Sequence, residues 1–333
     1  MQYRWLAAGF AAMISVLPAG AQPVISLSPV PPTAAVETLD IGTDTTARMT
    51  VPVSIGGSGP YGFIVDTGSE RTVISTELAT RLGLDPGRTA TMYSMTESSR
   101  VGTVVIPELE IGRRTVEDIH APALSRRNLG AEGLLGIDSL RSQRVELDFV
   151  RQEMKIVPSR RREERWHGDT IVVSARSRYG HLMLVDASFD GQRVYVIVDT
   201  GSQVTVGNNA LRRRLESRGR LGPLRPIELI SVTGNVIMAE YGVARELRIG
   251  DAGLTNLPVA FAEVHPFAHL DLTDHPAIML GMDALQLFDR VSFDFANRRV
   301  RFLVPDAAEA NPQSRMAQWQ PVPVMAQDRR AAP

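Results

Sequence analysis

Cysteine is missing from all 333 residues. Its absence excludes disulfides, thiol nucleophiles, thiolate metal sites and a lipid-modified amino-terminal cysteine, so stability must come from buried apolar cores, which a chain of this length can supply. A dominant charge is missing too. With 36 Lys and Arg against 37 Asp and Glu the formal net charge is -1, and no long-range field favours nucleic acid or an anionic membrane surface as partner. Long apolar runs are also scarce. The stretch over residues 5–17 follows Arg4 and precedes Ala19-Gly20-Ala21. A membrane-crossing helix needs about 20 apolar residues, whereas a shorter run ending in small-x-small has the form of a secretory leader. Residues 1–21 are therefore expected to be a signal peptide cleaved after Ala21, giving a periplasmic or secreted product without stable membrane insertion.

What the chain does contain is a duplication. Phe63-Ile64-Val65-Asp66-Thr67-Gly68-Ser69 returns as Val196-Ile197-Val198-Asp199-Thr200-Gly201-Ser202. Downstream, Leu134-Leu135-Gly136-Ile137-Asp138 is answered by Met279-Leu280-Gly281-Met282-Asp283, and Leu147-Asp148-Phe149 by Phe293-Asp294-Phe295. Fainter echoes pair Glu110-Ile111-Gly112 with Arg248-Ile249-Gly250 and His120 with His265. The second copy is longer between its Asp and its Leu-Gly, as a loop insertion would make it. Short Val/Ile/Leu-rich runs separated by Gly, Asn, Asp and Pro predict an all-β architecture in each half. Few helices are expected: one over residues 76–82 and one over 209–218, opened by the capping Asn209. The expected divisions are a flexible segment 22–46, a first lobe 47–157, a linker 158–168, a second lobe 169–304 and a disordered tail 305–333. The linker, PSRRREERWHG, reads as a solvated charged run.

The repeated motif suggests its chemistry. An apolar run ending in Asp-Thr-Gly puts a carboxylate at the end of a buried strand, with Gly68 and Gly201 allowing a turn that side chains resist. If the halves pack about a pseudo-twofold axis, Asp66 meets Asp199. Two touching carboxylates share one proton, so one member can act as base toward water while the other acts as acid toward an amide carbonyl. No cofactor and no metal is needed. Ser69 and Ser202 are expected to hydrogen-bond the outer carboxylate oxygens, and the Gly68 and Gly201 N–H groups the inner ones. A carboxylate-pair glycosidase leaves the identity of the two turns unexplained.

These motifs resemble those of the aspartic peptidase clan that includes pepsins and retropepsins. The likeness spans residues 49–304 and includes the apolar-apolar-Gly element behind each Asp-Thr-Gly-Ser. It implies two retropepsin-like lobes in one polypeptide, a monomer with an internal pseudo-dimer. It also implies Thr67 and Thr200 reaching across the axis to each other's loop. The implied activity is that of an aspartic endopeptidase taking a polypeptide in extended conformation beneath a flap, processing exported or envelope proteins. The alternative is a peptide-binding scaffold of the same shape that does not hydrolyse. Flap candidates are residues 93–102, with Tyr93 and Thr96, and the hairpin 230–236, with Thr233 and Gly234. Tyr93 either touches substrate or packs. His265, His269, Asp271, Asp274 and His275 have the residue types of a zinc site, but Pro266 and Pro276 are expected to break any helix that would aim the imidazoles together. Asp138 and Asp283 are expected to cap the short helices that follow them.

Overall fold

Each apolar triplet ahead of Asp-Thr-Gly-Ser forms the buried end of a strand in the computed structural model, which describes residues 37–40, 42–43, 49–95, 98–184 and 186–305. Strand Ser58–Val65 passes from exposed to buried along its length. Strand Gly133–Leu135 lies parallel beside its buried end, Leu134 opposite Ile64. In the second half Tyr195–Val198 and Ala277–Leu280 repeat the arrangement, Ile197 opposite Met279. Parallel strands covered on both faces are continuous apolar runs rather than alternating ones, which is why Ile64, Leu134, Ile197 and Met279 all point into packed clusters.

Around these strands each half builds a mostly antiparallel β lobe. The expected all-β, two-lobe architecture is what the chain adopts. In the first lobe a hairpin of its own, Ala90–Tyr93 paired with Ser98–Val101, stands apart from the seven-stranded sheet. Its counterpart in the second lobe is Arg225–Ile230 paired with Val236–Ile249. Helices are short: α1 (Thr76–Arg81), α2 (Arg126–Leu129), α3 (Asn209–Glu216), α4 (His265–His269) and α5 (Met282–Leu285). The cap of α3 is Asn208 rather than Asn209; its Oδ1 accepts from the Leu211 N–H at 2.9 Å. Helix α4 is one that the sequence reading excluded. Pro266 sits in its first turn, where a missing N–H costs nothing because that donor has no partner within the helix.

A shared sheet joins the lobes. Strand Gln143–Asp148 of the first half pairs antiparallel with Arg290–Asp294 of the second. The register carries the symmetry: Val145 faces Phe293 while Leu147 faces Val291, and Leu147 and Phe293 are themselves counterparts in the duplicated sequence. A strand paired with its own repeat in this exchanged way lies on a twofold axis. Part of the segment expected to be flexible belongs to structure, because Glu37–Asp40 pairs with Glu153–Pro158 at the sheet's end and Gly42–Thr43 pairs with Met49–Ile55. Residues 1–36, with the expected signal peptide, and residues 306–333, with nearly all of the expected disordered tail, lie outside the described residues.

The charged connector is not simply solvated. One face of the shared sheet buries Arg144, Glu146, Ser292, Asp294 and Arg301, and buried polar groups need partners. The connector partners the two arginines: Arg144 Nη1 donates to the Arg161 carbonyl at 3.1 Å and Arg301 Nη2 to the Glu164 carbonyl at 3.2 Å, while the more exposed Arg299 pairs with Glu163 at 2.8 Å. Trp166 is buried, with the Arg301 guanidinium 4.1 Å from its ring centre.

Candidate active site

The backbone of each Asp is fixed by the strand beside it. The Asp66 N–H donates to the Leu135 carbonyl at 3.0 Å, and the Asp199 N–H to the Leu280 carbonyl at 3.0 Å. Each carboxylate then accepts from its own turn, Gly68 N–H to Asp66 Oδ1 at 2.9 Å and Gly201 N–H to Asp199 Oδ1 at 2.9 Å. Ser202 N–H adds a longer bond to Asp199 Oδ1 at 3.2 Å.

Across the axis the two turns interlock. Thr67 Oγ1 donates to the Val198 carbonyl at 2.9 Å, and Thr200 Oγ1 to the Val65 carbonyl at 2.6 Å. The same hydroxyls accept from each other's backbone, Thr67 N–H to Thr200 Oγ1 at 3.0 Å and Thr200 N–H to Thr67 Oγ1 at 3.1 Å. Both threonines are buried. The lock brings each carboxylate onto the other lobe's glycine: a Cβ on Gly68 would stand 2.4 Å from Asp199 Oδ1, and one on Gly201 2.3 Å from Asp66 Cγ. Close approach, not turn geometry, is therefore why glycine stands there. Neither Gly68 nor Gly201 adopts a positive φ.

The carboxyl groups of Asp66 and Asp199 are neighbours across the axis, each in the space that a Cβ on the other loop's glycine would fill. Burial first, and the neighbouring Asp66 second, raise the Asp199 carboxyl to about 8, against opposing N–H bonds from Gly201 and Ser202. The pair thus holds one proton in common at neutral pH.

The serines do something else than expected. Ser69 Oγ donates to the Arg71 carbonyl at 2.7 Å and Ser202 Oγ to the Val204 carbonyl at 2.8 Å, so the hydroxyls shape the turns from behind. The Leu-Gly elements cross at this point, and a Cβ on Gly136 would meet the Arg71 carbonyl carbon at 2.3 Å, one on Gly281 that of Val204 at 2.7 Å. Asp138 and Asp283 stand in the first turns of their short helices, two residues past the capping Gly136 and Gly281, where each accepts the next residue's N–H at 2.8 Å but chiefly holds a threonine. Thr72 N–H and Oγ1 donate to Asp138 at 3.0 and 2.8 Å, and Thr205 N–H and Oγ1 to Asp283 at 3.0 and 2.6 Å. Each threonine hydroxyl accepts in turn from the glycine N–H, of Gly136 at 3.2 Å and Gly281 at 3.1 Å. Thr72 and Thr205 went unnoticed in the sequence, although both halves read Asp-Thr-Gly-Ser-x-x-Thr. The duplication extends three residues further than the motif first drawn from it.

The flap candidates separate. Tyr93 ends its strand with its ring stacked on His265, centres 4.6 Å apart, and the Met95 carbonyl accepts from the His265 N–H at 2.9 Å. The first hairpin thus reaches the second lobe. Thr233 and Gly234 occupy the tip of the opposing hairpin, which reaches the first: a Cβ on Gly234 would press on the Asn128 amide of α2 at 2.8 Å. Between them, Ser99, Ser125, Asn128, Val232, Thr233 and Asn235 line much of a cavity of about 330 Å³. Thr96 lies outside the described residues. His265 stands at the start of α4, as Arg126 does at the start of α2, so its match with the strand residue His120 is fortuitous. Among the described residues no group of three or more His, Asp or Glu is arranged to hold a metal ion.

No curated protein matches this chain. The aspartyl protease family model matches it twice, over residues 51–139 and 185–284, and each matched stretch runs from the strands ahead of one Asp-Thr-Gly-Ser to the carboxylate that clamps the threonine behind it. On these two matches, which fall on the two lobes, the chain belongs to the aspartyl protease family.

Proposed function

We propose that this chain is an aspartic endopeptidase whose catalytic pair is Asp66 and Asp199. The observation that carries the reading is the mutual seating of the carboxylates, each against the other lobe's glycine, where burial and the neighbouring Asp66 raise the Asp199 carboxyl. A water held between them loses a proton to the ionised Asp66 as its oxygen bonds to the peptide carbonyl carbon. Asp199 gives its proton to the carbonyl oxygen, and the tetrahedral intermediate forms without a covalent enzyme adduct. Collapse breaks the C–N bond as the nitrogen takes a proton from one carboxyl and a hydroxyl of the intermediate returns its proton to the other, which restores the one-proton pair. The lock of Thr67 and Thr200 keeps the acid and base at one fixed separation, which is what positioning requires.

The substrate on this reading is a polypeptide in extended form beneath the two hairpins, recognised through strand-like hydrogen bonds. The leader-like character of residues 1–21 supports a site of action outside the cytoplasm, on exported or envelope proteins. Among the described residues no helix is long and apolar enough to cross a membrane. Incubating protein that begins after Ala21 with a diverse peptide mixture, at acidic to neutral pH, and reading new termini by mass spectrometry tests the reading. Wild type should cut, while Asp66→Asn and Asp199→Asn should each abolish cutting with folding retained. Full activity in either variant would end the shared-proton mechanism, and no cleavage by wild type would leave a peptide-binding scaffold.

A further inference from the structure

The two dyad loops have the same backbone bonds. Ser69 and Ser202 carbonyls each accept at 2.9 Å from the residue after the Leu-Gly, and Glu70 and Gln203 carbonyls each accept at 3.2 Å from the next. Their side chains differ. Glu70 Oε1 meets His269 Nε2 at 2.9 Å and stands 3.7 Å from His181 Nε2, and both imidazoles belong to the second lobe. His181 is buried beside the Thr67 backbone, with its Nδ1 unpartnered.

His269 closes the short helix that His265 opens. At the opening end His265 carries the first hairpin, through the Tyr93 stack and the bond to the Met95 carbonyl. Met95 also packs against the second lobe's cluster around Phe267, in the middle of the same helix. We propose that α4 is a bridge that transmits closure of the first hairpin to the loop carrying Asp66, with Glu70 and His269 as positioning residues.

A helix of one turn moves as a unit. Lifting Tyr93 and Met95 off its start therefore alters the seat of His269 at its end, and with it the grip on Glu70. The matching residue of the other loop, Gln203, carries no charge to pair. The groups facing the contact are His181, His265, the Arg178–Asp271 ion pair beside Leu270, Tyr93, and Tyr179, whose ring lies 4.5 Å from that of His269. Burial and the adjacent His269 lower the basicity of His265, and burial that of His181.

Amide hydrogen exchange on the full chain tests the coupling without needing turnover. Tyr93→Ala should speed exchange in residues 66–72 as well as in its own hairpin, and Glu70→Gln should speed exchange in residues 98–101, each by about fivefold or more, the low end of coupling between linked sites. Reciprocity is required, and if each substitution disturbed only its own side the bridge would be refuted. Asp66→Asn should stop hydrolysis and leave the coupling intact, which separates a failure of this inference from a failure of the peptidase reading on which it rests. In the peptide assay Glu70→Gln should lower kcat more than it raises KM, with His269→Gln non-additive to it. A raised KM with kcat unchanged would mark a merely structural contact.

Discussion

A carboxyl group with little solvent and a second carboxyl against it keeps its proton well above the usual range, and the cost of removing that proton is a cost to folding. For Asp199 the folded value is raised, from 3.8 to about 8. The folded state therefore binds more protons than the unfolded one between those values, and stability contributed by this group is present below about 4 and lost as pH rises toward 8. Asp199→Asn removes the titration. Its melting temperature relative to wild type should climb steadily from mildly acidic to neutral pH in differential scanning calorimetry, even as hydrolysis disappears; a pH-independent difference would contradict the buried pair. The glycines give a second residue-scale prediction. Gly68→Ala forces a methyl into the Asp199 carboxylate and should cost about 1–3 kcal/mol by urea denaturation together with roughly a hundredfold in kcat/KM, the scale of a small misplacement of reacting groups. Gly62→Ala is its control, since a Cβ there meets only Thr50 at 3.8 Å. The pair of aspartates could be read from the sequence because the motif occurs twice. The reason for glycine could not, because the atom that excludes a side chain comes from the other lobe.

At the scale of elements, each dyad loop is clamped from behind by a threonine held between a carboxylate and a glycine N–H. Thr205→Val strips Asp283 of its hydroxyl donor, and Thr72→Val does the same to Asp138. Each should lower stability by about 1–3 kcal/mol, the cost of leaving a buried acceptor short of a partner. Burial raises the Asp283 carboxyl to about 6, and the bonds from Thr205 act to hold it down. Losing one lets that value rise further, so the stability deficit of Thr205→Val should widen between about pH 6 and neutrality, as pH-resolved denaturation would show. Several element-level expectations failed for one reason. Helix α4 was denied because Pro266 reads as a breaker, and Asp138 and Asp283 were read as caps. In each case the local rule was applied without knowing which position of the turn the residue occupies.

For the whole molecule the shared sheet decides cohesion. Gln143–Asp148 and Arg290–Asp294 are neighbours in one sheet, and apolar residues from both lobes belong to one continuous core. The lobes should melt together, with calorimetric and van't Hoff enthalpies in agreement; two separated transitions would mean that the sheet does not couple them. Trp166→Ala should destabilise by about 3–5 kcal/mol, as for a large buried aromatic, because it also uncovers Arg301. A change within the range of surface substitutions would restore the solvated reading of the connector.

By itself the sequence determined the duplication, the β character of both halves and the identity of the facing aspartates, because these are written as repeated local patterns whose side-chain periods need no knowledge of distant partners. The tertiary structure alone decided what each residue near the axis touches. Ser69 turned away from Asp66, Thr72 joined to Asp138, and Glu70 met two imidazoles of the other lobe. The last two link residues far apart in the chain, and their geometry is set by how distant segments pack together.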